Sequence, residues 1–177
     1  MEEIKRIDRK LIAKGSIIDY YHDIMLLPDG STTEYDLVSH KGAAAVLPVL
    51  SDGRIVMVRQ YRNALERYTV EIPAGGLNEG EETKEAAARE LSEETGYITD
   101  NLKLLLKLKT TVAFCNENID IYVAHDLKPG KTHPDEGEYV DTKIYTLDEL
   151  VDMIYSFKIQ DSKTISAILA YKNKISM

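Results

Sequence analysis

The sequence predicts an α+β fold in which helices sandwich a central sheet, and three observations support this. Short β-like segments fill most of the first 124 residues. One helical segment, Thr83–Thr95, interrupts them, and two more follow near the carboxyl end. Strands and helices do not alternate regularly, which argues against repeated βαβ units. The length of 177 residues is enough to bury a real core.

Runs of apolar and β-branched residues predict seven strands. These are Ser16–Tyr21, Ile24–Leu27, Ala43–Leu50, Ile55–Tyr61, Tyr68–Ile72, Leu102–Val112 and Ile119–Ala124. The third and fourth flank Ser51-Asp52-Gly53. We predict that they form a β-hairpin, because Asp-Gly supplies the positive φ that a tight turn needs.

The helices carry recognisable end signals. Thr83 is the predicted N-cap of the first helix, and Gly96 its C-terminal stop. Thr146, with Glu149 three residues later, forms a capping-box pattern ahead of a helix over residues 150–156. A last helix is predicted to follow a cap at residue 161 or 162.

Composition excludes several classes of function. The formal net charge of −8 disfavours non-specific binding to nucleic acid. The longest apolar run, Ala43–Leu50, is interrupted by Pro48 and is too short to span a bilayer. The single cysteine, Cys115, cannot form an internal disulfide, which indicates a reducing compartment. We therefore expect a cytoplasmic protein that binds neither nucleic acid nor a membrane.

The first helix concentrates carboxylates on one side. Offsets of three and four residues place Glu90, Glu93 and Glu94 on one helical face, whereas Ala87 and Leu91 point elsewhere and can pack against a sheet. Such a face is either a solvated surface or a site for Mg²⁺ or Mn²⁺, which prefer oxygen ligands. The helix alone leaves both interpretations open.

The residues around the helix favour the metal site. The pattern reads Gly75, five residues, Glu81, seven residues, Arg89-Glu90-Leu91, one residue, Glu93-Glu94, one residue and Gly96-Tyr97. It resembles the Nudix box, a loop–helix–loop that binds divalent metal for diphosphate hydrolysis. The last position departs from the box, which prefers an aliphatic residue there. The resemblance implies a Nudix-type α/β/α sandwich with a mixed central β-sheet over residues 41–177, preceded by an antiparallel β extension over residues 1–40.

The resemblance also implies a role for each residue of the box. Glu90 and Glu94 would bind Mg²⁺ (or Mn²⁺), with Glu93 as a third ligand and the backbone carbonyl of Ala74 completing the site. Arg89 would orient a carboxylate through a bidentate ion pair, since its planar fork matches carboxylate geometry.

The base that activates water is expected on a later acidic loop. Glu136 is similar in place to a loop glutamate of the ADP-ribose pyrophosphatase branch of the family, and Glu138 is the alternative. The competing interpretation is a solvated acidic loop without a catalytic role.

Three further segments resemble that branch: Val58–Arg62, Glu71–Gly75 and Lys158–Thr164. The substrate-binding residues that this resemblance implies are Arg59, Arg62, Glu71 and Glu117. Arg62 would contact a phosphate, and its competing interpretation is surface charge. Glu71 would contact the substrate or brace the site, and its competing interpretation is a solvated residue at a strand end.

The expected activity is hydrolysis of a nucleoside diphosphate sugar, giving a nucleoside monophosphate and a sugar phosphate. The branch usually carries a Pro-Gly pair after the box, but this chain has Val112–Glu117 there without it. The substrate can therefore be a nucleoside diphosphate sugar other than ADP-ribose. A hydrolase of damaged nucleoside triphosphates and a non-catalytic ligand sensor are the alternatives. The resemblance further implies a homodimer whose N-terminal strands cross to the partner.

Overall fold

The computed structural model describes residues 3–130 and 140–175. The chain divides into two units: Met1–Gly42 with Lys109–Asn118, and Ala43–Leu108 with Ile119–Met177. The predicted bases Glu136 and Glu138 lie outside the described residues.

The first unit contains an antiparallel sheet of three strands in the order β1-β2-β3. They span Lys5–Lys14, Ile18–Leu26 and Thr32–His40. The two short strands predicted before residue 28 are therefore one strand, β2. The sequence patterns did not reveal β1, because all ten of its residues are exposed and no apolar face alternates with a polar one.

The remaining strands form three sheets, with orders β7-β4-β10-β9, β12-β5-β6 and β11-β8. The strands are β4 Ala43–Pro48, β5 Ile55–Arg62, β6 Arg67–Glu71, β7 Ala74–Gly76, β8 Tyr97–Ile98, β9 Asn101–Lys109, β10 Asn118–His125, β11 Lys128–Pro129 and β12 Asp141–Tyr145. The helices are α1 Thr83–Thr95, α2 Leu147–Tyr155 and α3 Ser162–Ile175, with a 3₁₀ turn over Asn63–Leu65. Since β4 runs parallel to β10 and antiparallel to β7, the largest of these sheets is mixed.

Helices cover both faces of the mixed sheet, as the fold prediction requires. Successive residues of a strand point to opposite faces. Ala44 and Val46 belong to one buried cluster with Leu91 of α1. Ala45 and Leu47 belong to the other, together with apolar residues of α2 and α3. The arrangement is an α/β/α sandwich.

The predicted hairpin between residues 43 and 61 is wrong. Its turn forms, with Gly53 at φ 85°, but β4 and β5 then enter different sheets. Within the described residues the two runs share a single bridge, Val49 to Ile55. Every residue of β4 is buried, which is typical of a central strand covered on both faces rather than of one arm of a hairpin.

The ends of α1 match the prediction at one side only. Gly96 terminates the helix in the left-handed region at φ 71°. The N-cap is Glu82 rather than Thr83, which is the first helical residue. The Thr83 hydroxyl instead donates to Asp120 Oδ2 at 2.9 Å, so it ties the helix start to β10.

Both caps predicted near the carboxyl end form. Thr146 and Glu149 make the reciprocal bonds of a capping box at α2. At α3, Asp161 Oδ2 accepts from the backbone N–H of Thr164 at 3.0 Å, so the first of the two candidate residues is the cap.

None of the helices in the described ranges combines the length and apolarity needed to cross a membrane.

Candidate active site

Helix α1 places its carboxylates against β7, the short strand that precedes the loop over residues 77–82, which we call the glycine loop. Glu90 and Glu94 are buried, with 8% and 5% of their surface exposed, and Glu93 is partly exposed. The interpretation of this face as a solvated surface is therefore wrong for two of its three glutamates. Buried carboxylates need compensating partners, and the structure supplies several.

Arg89 binds three carboxylates and one carbonyl. Its Nε and Nη2 donate to the two oxygens of Glu81 at 2.8 and 3.0 Å. Nη1 donates to Glu90 Oε1 at 2.6 Å and to Glu93 Oε2 at 2.9 Å, while Nη2 also reaches the carbonyl of Gly76 at 3.0 Å. Hydrogen bonds to Glu81 are the largest cause of the raised pKa of Arg89. One guanidinium thus joins the glycine loop to the carboxylate face.

The backbone of the preceding strand positions the two buried glutamates. The N–H of Ala74 donates to Glu94 Oε2 at 3.1 Å. The backbone of Gly75 lies directly against the carboxylate of Glu90. A β-carbon at Gly75 would overlap Glu90 Oε1 and lie 2.7 Å from Oε2. The absence of a side chain at Gly75 is what leaves room for this carboxylate.

The site carries an excess of negative charge. Glu81, Glu90, Glu93 and Glu94 with Arg89 have a formal net charge of −3 (−4 + 1). Within residues 3–130 and 140–175, no three Asp, Glu, His or Cys side chains converge into a ready-made metal centre. One oxygen of Glu90 and one of Glu93 both pair with Nη1 of Arg89, at 2.6 and 2.9 Å. The surplus charge favours binding of a cation.

A second cluster lies in the same unit, around the buried Glu71. This carboxylate accepts two hydrogen bonds from Arg62, at 2.8 and 2.6 Å, and one from Lys163 at 2.5 Å. Its exposed fraction is 2%, so the interpretation of Glu71 as a solvated strand-end residue is wrong. Arg62 is ion-paired rather than a lone surface charge, and its hydrogen bonds to Glu71 are the largest cause of its raised pKa. Sequence reasoning assigned no role to Lys163.

Glu71 predicts a pH dependence of stability. Burial alone would raise its pKa, but the hydrogen bonds from Arg62 and the charge of Lys163 outweigh burial and lower it from 4.5 to about 2. Since the folded-state pKa lies below the unfolded one, the stabilisation is complete above pH 4.5 and is lost as the pH falls towards 2. The difference corresponds to about 3 kcal/mol.

Denaturant unfolding of wild type and Glu71→Gln at pH 7 and near pH 2 measures this contribution. The loss of unfolding free energy on acidification should be about 3 kcal/mol smaller in the variant. Glu85→Gln, at an exposed position of α1, serves as the control and should lose as much as wild type. Equal losses in all three proteins would contradict the assignment.

The other two predicted substrate contacts have different neighbours. The guanidinium of Arg59 lies over the ring of Tyr68, 4.0 Å from its centroid. Glu117 belongs to the first unit, where its Oε1 lies 3.5 Å from Nδ1 of His40. Their roles in substrate binding stay predictions.

Comparison with known proteins gives consistent results. The family profile of the NUDIX domain matches residues 39–168. The chain is 39% identical to the ADP-ribose pyrophosphatase of Bacillus subtilis (strain 168) and 41% identical to the methanol dehydrogenase activator of Bacillus methanolicus, in each case over 94% of this chain and 91% of the relative. The crystal structure of an ADP compounds hydrolase superposes with a TM-score of 0.88 at 22% identity, covering 99% of this chain and 96% of that one.

Proposed function

Because the chain belongs to the NUDIX family, we propose that it hydrolyses the diphosphate bond of a nucleoside diphosphate sugar of the ADP-ribose type. The products are a nucleoside monophosphate and a sugar phosphate. The observation that carries the proposal is the pair of buried carboxylates, Glu90 and Glu94, grouped with Arg89 beside a glycine loop. The lone Cys115 supports a cytoplasmic location as part of the same proposal.

Nudix hydrolases generally use divalent metal ions, and the residues of this site fit one. Glu90, Glu93, Glu94 and the carbonyl of Ala74 offer oxygen donors only, which hard ions such as Mg²⁺ or Mn²⁺ prefer. The room that Gly75 leaves for the carboxylate of Glu90 supports the fit. When bound, the ion neutralises the diphosphate and lowers the pKa of a coordinated water molecule.

The protein's own groups divide the remaining tasks. Arg89 holds Glu90 and Glu93 in place through hydrogen bonds of 2.6 and 2.9 Å. Arg62 contacts a phosphate of the substrate, and Glu71 fixes its guanidinium. Further substrate contacts come from Arg59 and Glu117. The proton of the attacking water passes to Glu136 or Glu138.

A substrate panel with Mg²⁺ and with Mn²⁺ tests the activity. We expect kcat/KM for ADP-ribose and related nucleoside diphosphate sugars to exceed that for nucleoside triphosphates by about 10² or more, since a site built to bind a group rejects analogues that lack it. Preference for nucleoside triphosphates would favour the alternative of a hydrolase that acts on damaged nucleoside triphosphates. Absence of hydrolysis across the panel would contradict the proposed activity and favour the ligand-sensing alternative.

The similarity to the methanol dehydrogenase activator supplies a second candidate function, activation of such a dehydrogenase. Adding wild-type protein to a methanol dehydrogenase should then raise its rate. The same measurement with Glu94→Gln shows whether activation requires the hydrolytic site.

We also propose a homodimer in which residues 1–40 form an extension that crosses to the partner. Apolar side chains exposed along β1, among them Ile7 and Leu11, support an interface on this sheet. The double change Ile7→Asp and Leu11→Asp should convert a species of twice the chain mass into the monomer, measured by sedimentation equilibrium. Lys10→Glu, on the same exposed strand, should stay dimeric. A monomeric wild type would contradict the proposal.

A further inference from the structure

The first turn of α3 carries a buried lysine that the proposed reaction has not used. Only 8% of the surface of Lys163 is exposed, although lysine is rarely buried. Its ammonium lies 2.5 Å from Glu71 Oε2 and 3.0 Å from Asp161 Oδ2. Burial of an ammonium group is costly unless it is paired, and these two carboxylates provide the pairing.

Lys163 shares its carboxylate with an arginine. Glu71 Oε2 accepts from both Lys163 Nζ and Arg62 Nη2, the latter at 2.6 Å, while Oε1 accepts from Arg62 Nε at 2.8 Å and from the Thr69 hydroxyl at 2.6 Å. The lysine and the arginine therefore anchor the same carboxylate from different elements. Without Lys163, the Thr69 hydroxyl would still anchor Glu71 besides Arg62, but the carboxylate could shift and the bidentate pair would carry Arg62 with it.

The same turn of α3 also holds the end of β6. The hydroxyl of Thr164, which is fully buried, accepts from the backbone N–H of Ile72 at 3.0 Å. Two residues further along the chain, the N–H of Ala74 donates to Glu94. The start of α3 is thus connected, through a short stretch of backbone, to the carboxylates of α1.

We infer that Lys163 is a positioning residue for substrate binding, which fixes Arg62 through Glu71 for contact with a substrate phosphate. The inference rests on the proposed function. Lys163 and Arg62 with Glu71 and Asp161 have a formal net charge of zero, so the lysine adds orientation rather than attraction for the phosphate. Orientation of a group that binds the substrate in its ground state affects KM more than kcat.

Steady-state kinetics with ADP-ribose and Mg²⁺ test the inference. Lys163→Met should raise KM by about tenfold and leave kcat within about twofold, since the charge-assisted bond that anchors Glu71, and through Glu71 orients Arg62, is lost. Lys163→Arg should recover most of the loss, because a guanidinium can still pair with Glu71. Lys174→Met, at an exposed position near the other end of α3, is the control and should leave KM unchanged.

Asp161→Asn covers the case in which Lys163→Met does not fold. Asparagine keeps an oxygen for the N–H of Thr164 and removes the charge that faces Lys163, so KM should rise in the same direction by a smaller factor. A merely structural lysine would lower the melting temperature of its variants without changing KM.

The outcomes separate the two proposals. Wild-type protein that turns over no nucleoside diphosphate sugar contradicts the proposed function before any variant is compared. Active wild type together with an unchanged KM in folded Lys163→Met, or in Asp161→Asn where that variant is the one that folds, overturns the role of Lys163. A fall in kcat at constant KM overturns it as well.

Discussion

Glu94→Gln is expected to lower kcat/KM by about 10³-fold or more while the protein stays folded, because a metal ligand contributes several kcal/mol of transition-state stabilisation. Glutamine has the shape of glutamate and keeps an oxygen that can accept from the N–H of Ala74, the 3.1 Å bond that positions Glu94. The substitution therefore removes the charge of a side chain with 5% exposure and keeps its bond from Ala74.

A readout other than turnover isolates the metal role. Millimolar Mg²⁺ should raise the melting temperature of wild type, because an ion that binds only the folded state stabilises it. Glu94→Gln should lose most of that rise. Glu85→Gln changes the same residue type at an exposed position of the same helix, and it should keep both the activity and the Mg²⁺ effect. Wild-type activity in Glu94→Gln would refute the assignment.

The spacing of α1 was predictable, but its burial was not. Offsets of three and four residues place Glu90, Glu93 and Glu94 on one face in any α-helix, whatever surrounds it. Whether that face meets water depends on the strand folded against it. The bonds from Ala74 to Glu94, and from Arg89 to Glu81, join residues 20 and eight positions apart. Such contacts exist only once the loop has closed over the helix.

Strand pairing depended on residues even more distant along the chain. The Asp-Gly signal between β4 and β5 produced its turn, yet Ala43 pairs with Ile119 in a parallel register rather than with β5. An Asp-Gly turn shows only that the chain reverses direction. Which strands pair depends on which strand faces must be buried. The same limit applies to Lys163, whose carboxylate partner lies 92 residues away.

Gly75→Ala is expected to lower kcat/KM by about 10²-fold while the protein stays folded, since displacement of a reacting group by about 1 Å has effects of that size. The new β-carbon would overlap the carboxylate of Glu90, which is the far end of a flexible side chain, so this carboxylate has to move away from its place beside Arg89. Gly75 lies outside the left-handed region, so alanine fits its backbone and reduces the entropy of the unfolded chain. The protein therefore still folds, but the carboxylate of Glu90 no longer occupies the position in which Arg89 binds it.

The adjacent glycine provides a matched control. A β-carbon at Gly76 meets no atom within 4 Å, and the carbonyl through which Gly76 accepts from Arg89 is unchanged by the substitution. Gly76→Ala should therefore retain wild-type kcat/KM and the Mg²⁺-dependent rise in melting temperature, whereas Gly75→Ala should lose most of both. If the two variants had the same kinetics and the same response to Mg²⁺, the position of the Glu90 carboxylate would not matter for the reaction. The metal site would then have to be built from other oxygens.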